Sequence, residues 1–319
     1  MTFDASQARV RLPRRALHGV LLLDKPLGLT SNDALQRARR LLRAEKAGHT
    51  GTLDPLATGL LPLCFGAATK FAQVSLEADK RYLATLRLGL TTTTGDAEGD
   101  VLRERPVTSG REAIEAACHA LTGEIRQVPP MHSALKHQGR ALYEYARAGV
   151  EIERAERPVT IHAIDIVGWN AAGRDELTLD VRCSKGTYIR TLAEDLGEAL
   201  GCGAHLSGLR RTGSGGLNLT HAITLEALEA MTEEQRSAQL LPPDQLLAGW
   251  PTVRLDAGEA ARFLTGLRRR VAEPDREHVR VLGPDPGALL GCGHICGGEL
   301  IADRLLSPAE VQALSTSLS

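Results

Sequence analysis

Hydrophobic positions along the chain follow two periods, near two and near 3.6 residues, in interleaved order. Residues 19–23 form a short apolar run that reads as a buried strand, closed by a turn at Lys25-Pro26-Leu27-Gly28. Ala34, Leu35, Ala38, Leu41 and Leu42 then recur at helical spacing behind a cap at Thr30 or Ser31, which predicts a helix to about Lys46. Residues 47–70 are dense in Gly, Thr and Pro and read as a loop followed by a short helix or strand. Residues 82–88 alternate as a strand does, and residues 89–99 are a polar loop. Ser109 can cap a helix carrying Ile114, Ala117, Cys118 and Leu121, with Gly123 as its stop. Pro129 and Pro130 exclude regular structure, and residues 140–148 predict a short helix.

Strands are expected at 159–167 and 177–183, with Leu177, Leu179, Val181 and Cys183 on one face and Asp180 and Arg182 on the other. A helix follows with Ile189, Leu192, Ala193 and Leu196 inward, and Gly213-Ser214-Gly215-Gly216 reads as flexible. Leu241-Pro242-Pro243 and Trp250-Pro251 flank a boundary, beyond which short strands at 279–282 and 289–295 suggest a small β-rich domain. The expected organisation is a basic tail over 1–17, a main domain over 18–250 and a C-terminal domain over 251–319.

Composition narrows the class. The 319 residues suffice for two domains, and 43% hydrophobic with 24% charged residues is ordinary for a globular chain. Aromatics are only 3%, so the cores must rest on Leu, Val, Ile and Ala. Six scattered cysteines form no disulfide framework, no signal peptide is evident, and no apolar stretch approaches the roughly 20 residues of a membrane span. The expectation is a soluble protein of a reducing cytoplasm. Cys292, His294 and Cys296 alternate on one expected strand but supply three soft ligands where structural zinc takes four, so no metal is expected. Walker, Rossmann and H-E-x-x-H motifs are absent from the sequence.

The net charge of −1 argues against a generic polyanion binder, yet the charge is uneven. Residues 1–70 carry 11 Lys or Arg against 5 Asp or Glu, whereas residues 221–319 carry 9 against 14. A basic N-terminal part suits a local phosphate-binding face, and a merely solvated surface fits the same numbers. Arg37, Arg40 and Arg43 recur every three residues with Lys46 nearby, which makes them candidates for phosphate contacts or a plain solvated face.

The densest chemistry lies in Gly48-His49-Thr50-Gly51-Thr52-Leu53-Asp54-Pro55-Leu56-Ala57-Thr58-Gly59. Glycines at 48, 51 and 59 permit close approach of a ligand, and Pro55 biases Asp54 away from the helical region. Asp before Pro is also a good turn former, so these residues alone read first as a structural turn. The segment resembles the G-H-T-G-x-L-D-P-x-A-x-G motif of the TruB family of tRNA pseudouridine synthases, at every fixed position. Further blocks follow in the family's order. They are Val20 to Pro26, Arg81-Tyr82, the Gly89, Thr92, Thr94, Asp96, Gly99 loop, Gln127 to Gly139, Tyr143 to Gly149, Ser184 to Arg190, and Leu209-Arg210-Arg211-Thr212. His132 departs from the family's usual aromatic, beside the proline loop and outside the catalytic segment.

The resemblance implies an α+β pseudouridine synthase fold, a mixed, largely antiparallel sheet with flanking helices. It implies that Asp54 is the catalytic carboxylate for converting uridine to pseudouridine at position 55 of the tRNA T-loop. The reaction cuts a glycosidic bond, rotates the base and forms a carbon–carbon bond, so it has no redox step and no cofactor is expected. Asp54 serves it as nucleophile or base. By the same analogy Arg190 pairs with Asp54, Tyr82 stacks on the base, and Tyr188 and Leu209 line its pocket. His49 contacts RNA near the flipped base, and Lys25 approaches a phosphate or the catalytic loop. Base flipping costs a few kcal/mol, repaid by stacking and hydrogen bonds. The C-terminal segment resembles a PUA-type RNA-binding domain through residues 289–293 and 297–300. The expected partner is the tRNA T-arm, with no obligate protein partner, no membrane, and a monomeric chain.

Overall fold

The structure, a computed structural model, describes residues 13–170, 175–284 and 287–316. Residues 1–12 of the expected tail lie outside the described residues. Ten strands make the main sheet. Its path runs Ile223–Thr224, Gly19–Lys25, Ala57–Phe65, Ala204–Ser214, Lys80–Leu88, Glu176–Cys183, Arg157–Asn170, Gly123–Gln127. Gly19–Lys25 pairs in parallel with Ile223–Thr224, as does Ala57–Phe65 with Ala204–Ser214, and the other pairs are antiparallel. The fold is α+β.

The strand Gly19–Lys25 is continuously apolar because both its faces are covered. Leu21 and Leu23 meet the helix Ser31–Leu41 through Ala34, Leu35 and Ala38. Val20 and Leu22 face the other way, into a cluster with Leu60, Phe71, Leu246 and Leu247, and with Leu282, Leu289 and Leu306 from the C-terminal part. That part is a five-stranded sheet over residues 252–305, and it docks on the main sheet through this apolar contact. Lys70 reinforces the seam, donating to Glu310 at 2.6 Å and to the Leu305 carbonyl at 3.0 Å.

The other half of the sheet packs Leu177, Leu179 and Val181 against Leu192, Ala193 and Leu196 of the helix Ile189–Ala199. Tyr82 and Leu209, on adjacent strands, touch both this core and the one under Ser31–Leu41. A cleft opens on this face, between the two helical layers.

Several sequence expectations need correction. The first helix ends at Leu41, not Lys46. Arg43 turns to φ +53, so that its N–H reaches the Arg40 carbonyl and the Ala44 N–H reaches that of Arg39, and buried Ala44 seals the end. Gly110, not Ser109, caps Arg111–Ala120, because the Ser109 hydroxyl is turned to the Leu200 carbonyl at 3.2 Å. Gly215 and Gly216 form the two-residue turn of a hairpin between paired Ser214 and Leu217, so the glycine-rich stretch has a fixed place in the sheet.

Candidate active site

The loop that carries Asp54 is pinned before the carboxylate is reached. The Leu53 N–H donates to the Ser31 hydroxyl at 2.7 Å, and that hydroxyl donates back to the Leu53 carbonyl at 3.1 Å. The Leu53 side chain is buried against Ala34, Leu35 and Ala57. The Gly28 N–H reaches the Pro55 carbonyl at 2.9 Å, and the Thr50 N–H that of Pro62 at 3.1 Å. With both flanks fixed, the Asp54 side chain is left 48% exposed at the cleft. Gly59, at φ +96, lies so close to Arg211 that a Cβ would stand 2.3 Å from the Arg211 carbonyl oxygen. Only glycine fits there.

Arg190 opens the helix Ile189–Ala199 and is 6% exposed. Its Nη2 is 3.0 Å from Asp54 Oδ2 and also donates to the His132 carbonyl. Its Nη1 donates to the Thr94 carbonyl at 3.3 Å and lies 3.4 Å from Asp96 Oδ2. Asp96 is itself fixed, accepting from the Thr94 hydroxyl at 2.5 Å and the Glu98 N–H at 3.1 Å. One guanidinium thus ties the Asp54 loop, the polar threonine loop and the segment after the prolines. Tyr188 is placed by its backbone: the buried Gln127 amide accepts from its N–H at 3.0 Å and donates to its carbonyl at 3.2 Å.

Asp54, Tyr82, Tyr188, Arg190 and Leu209 line one cavity of about 370 Å³, with Arg211 and Lys80. That volume falls in the usual range for a small-molecule site. A second chamber of about 490 Å³ meets the first at Asp54 and Arg190 and is lined by His49, His132, Ser133 and Tyr143. Burial, then Arg211, pushes the His49 imidazole below its ordinary value, towards the neutral form. Burial likewise raises the phenols of Tyr82 and Tyr188, with Arg211 opposing at Tyr82.

Beneath the loop stand cations withdrawn from water. Arg211 is 1% exposed and donates to the Leu60 carbonyl at 2.7 Å and the Gly51 carbonyl at 3.3 Å. Lys25 is 0% exposed and donates to the Pro26 and Leu29 carbonyls at 2.9 and 2.6 Å. Burial lowers its pKa to about 8, partly offset by Asp54.

Similarity to known proteins places the chain in a family. Residues 39–189 match the model of the TruB family pseudouridylate synthase N-terminal domain, and residues 190–248 match that of the tRNA pseudouridylate synthase B C-terminal domain. The tRNA pseudouridine synthase B of Verminephrobacter eiseniae (strain EF01-2) is 58% identical, covering 97% of this chain and 95% of its own. That of Cupriavidus pinatubonensis (strain JMP 134 / LMG 1197) is 59% identical over 96% and 99%. The chain belongs to the TruB family of pseudouridylate synthases. A solved Cbf5-Nop10-Gar1 complex contains a chain of the same fold, 26% identical with a TM-score of 0.72, covering 93% of this chain and 87% of its own. The two TruB family models end at residue 248, before the five-stranded sheet of the C-terminal part.

Set against the TruB resemblance, the site residues divide clearly. Asp54, Tyr82, Tyr188, Arg190 and Leu209 converge on one cavity. Lys25, expected at a phosphate or at the Asp54 loop, is buried beside that loop and holds its turn through two carbonyls. Arg43 is also committed elsewhere, to Glu233 at 2.8 Å and to the Pro13 carbonyl at 3.0 Å. Arg37, Arg40 and Lys46 are exposed, without an ion pair among the described residues. His132, remote from the motif in sequence, reaches the cleft and supplies a carbonyl to Arg190. Ser31, Asp96, Gln127 and Arg211 escaped as site residues. Asp96, Gln127 and Arg211 fall inside the quoted family blocks, whereas Ser31 was legible only as a helix cap.

Proposed function

We propose that this chain isomerises uridine to pseudouridine in tRNA, at position 55 of the T-loop, with Asp54 as the catalytic carboxylate. The observation that carries the reading is the Asp54–Arg190 pair at the mouth of a cavity walled by Tyr82 and Leu209. A flipped uracil fits between an aromatic and an aliphatic wall, with its glycosidic bond turned to the carboxylate. Arg190 fixes the Asp54 rotamer, so the attacking or proton-accepting oxygen is preset. Tyr188 supports that arrangement, and His49 and the exposed Arg37, Arg40 and Lys46 face the RNA around the flipped base. The bond changes are an isomerisation, and the chain's own residues suffice for them.

The reading also takes residues 18–250 as the catalytic domain and 251–319 as a PUA-like RNA-binding domain, in a monomer acting in the cytoplasm without an obligate protein partner. No helix of the described residues is long and apolar enough to cross a membrane. The test is tritium release from a T-arm transcript labelled at ring carbon 5 of uridine, with the purified chain and Asp54→Asn. Release by the native chain alone, with RNA bound by both, is expected. Tight binding without release by either refutes the catalytic assignment.

A further inference from the structure

The cavity beside Asp54 carries more positive charge than its ion pairs require. Five of its lining residues are charged, Lys80, Arg190 and Arg211 against Asp54 and Asp96. Both carboxylates are held by Arg190, at 3.0 and 3.4 Å. Lys80 and Arg211 are 8% and 1% exposed and form no ion pair among the described residues. Their N–H groups go to uncharged carbonyls instead. Lys80 donates to those of Ser75 at 3.0 Å, Leu76 at 2.8 Å and Ala78, and Arg211 to those of Leu60 at 2.7 Å and Gly51 at 3.3 Å. Burial, then the neighbouring Arg211, lowers the Lys80 pKa to about 8, which leaves it mostly charged at neutral pH. Burying a cation without a carboxylate is costly, and an anion arriving in the cavity offsets that cost.

Both cations stand on the strands that wall the cavity. Lys80 and Tyr82 lie two apart on one strand, Leu209 and Arg211 two apart on its neighbour, and Arg211 is the cross-strand partner of Tyr82. Arg211 and the Tyr82 phenol share a side-chain hydrogen bond. A guanidinium has donors only, so the phenol oxygen accepts. The positive field therefore enters the cavity through its Tyr82 and Leu209 walls.

The chemistry supplies a transient anion for that field. Uracil is neutral until its glycosidic bond breaks. The electron pair of the bond between sugar C1′ and ring nitrogen 1 then stays on the base, with the negative charge shared by nitrogen 1 and oxygens 2 and 4. The pair is spent when ring carbon 5 bonds to C1′, after which carbon 5 loses a proton and nitrogen 1 gains one. Whether Asp54 attacks C1′ or takes a sugar proton, it recovers its own charge as the carbon–carbon bond forms. A preset charge in a site withdrawn from water acts most strongly where charge develops during the reaction.

We propose that Arg211 and Lys80 stabilise the detached uracil as an anion, through a field that neither side chain needs direct contact to exert. The proposal rests on the tRNA reading above.

The experiment uses a T-arm hairpin with 5-fluorouridine at the target position. Its ring gives up the proton on nitrogen 3 more readily than uracil does, placing charge on the same two oxygens, and the fluorine resonance reports the ionisation. Asp54→Asn serves as the parent protein, so that no turnover intervenes. Adding Arg211→Met should raise the pH at which the bound ring ionises by about 1 to 2 pH units, and Arg211→Lys, which keeps the charge, by clearly less. Lys80→Met should raise it as well and serves if Arg211→Met fails to fold. With Asp54 restored, Arg211→Met should slow single-turnover tritium release from the uridine hairpin by on the order of 10- to 100-fold. A purely structural role for the two cations predicts the same ionisation pH in every variant that binds the hairpin. That result, or an Arg211→Lys shift as large as that of Arg211→Met, overturns the proposal. Failure of the parent to bind the hairpin overturns the tRNA reading instead.

Discussion

Arg190→Met separates what the buried guanidinium does for stability from what it does for catalysis. Arg190 serves two carboxylates in unlike settings: Asp96 is 3% exposed, whereas the Asp54 side chain is 48% exposed. Removing the cation leaves Asp96 as a buried charge without its partner, a loss of roughly 3–5 kcal/mol. The Asp54 contact contributes at most about 1 kcal/mol to stability, because water screens it. Its catalytic share is larger, since an unanchored carboxylate misplaced by about 1 Å loses on the order of 100-fold in rate. Adding Asp96→Asn to Arg190→Met should therefore recover most of the stability and none of the rate. Arg190→Lys should keep much of the stability but still lose the rate, because one ammonium cannot span acceptors on Asp54, His132, Thr94 and Asp96. The assays are denaturant unfolding and tritium release under single turnover. Arg190→Lys turning over within threefold of the native chain, or a double variant no more stable than Arg190→Met, refutes the reasoning.

Other consequences can be measured. Gly59→Ala places a methyl 2.3 Å from the Arg211 carbonyl oxygen at φ +96, and should destabilise by about 2 kcal/mol or more in urea unfolding. Lys25 has a pKa lowered from 10.5 to about 8. Between those values the unfolded chain holds a proton that the folded chain has released, so this group's contribution to stability rises with pH across that window. The native chain should accordingly gain on Lys25→Met by on the order of 2–3 kcal/mol between pH 7.5 and 10.5, read from paired unfolding curves; an unchanged gap would place Lys25 in water. Arg37→Ala with Arg40→Ala should reduce the slope of log affinity against log salt by about 1 to 2. Arg43→Ala, whose guanidinium is tied to Glu233, should leave the slope unchanged and lower stability slightly. An unaltered slope in the double variant removes the helix from the RNA interface.

What the sequence by itself determined is the local and the chemical. Strand and helix periods located Lys80–Leu88, Glu176–Cys183 and Ile189–Ala199, because burial on one face writes itself into the spacing of Leu, Val and Ala. The run from Gly48 to Gly59 pointed to Asp54 through its resemblance to the TruB motif, since a long motif with several fixed positions carries more information than any single residue. Tertiary structure decided what each charge does. Lys25, Arg37 and Arg43 look alike along the chain, yet one is sealed beneath the Asp54 loop, one is exposed with no ion pair among the described residues, and one is paired to Glu233. Burial and partners separated by 190 positions, as Arg43 and Glu233 are, have no signature in local spacing. The same holds for Asp54 and Arg190, 136 positions apart, where the motifs supplied both residues and the fold supplied the 3.0 Å between them. The end of the first helix was likewise settled by Ala44 and the strand partners behind it, because a non-glycine residue turns to positive φ only when the surrounding packing holds it there.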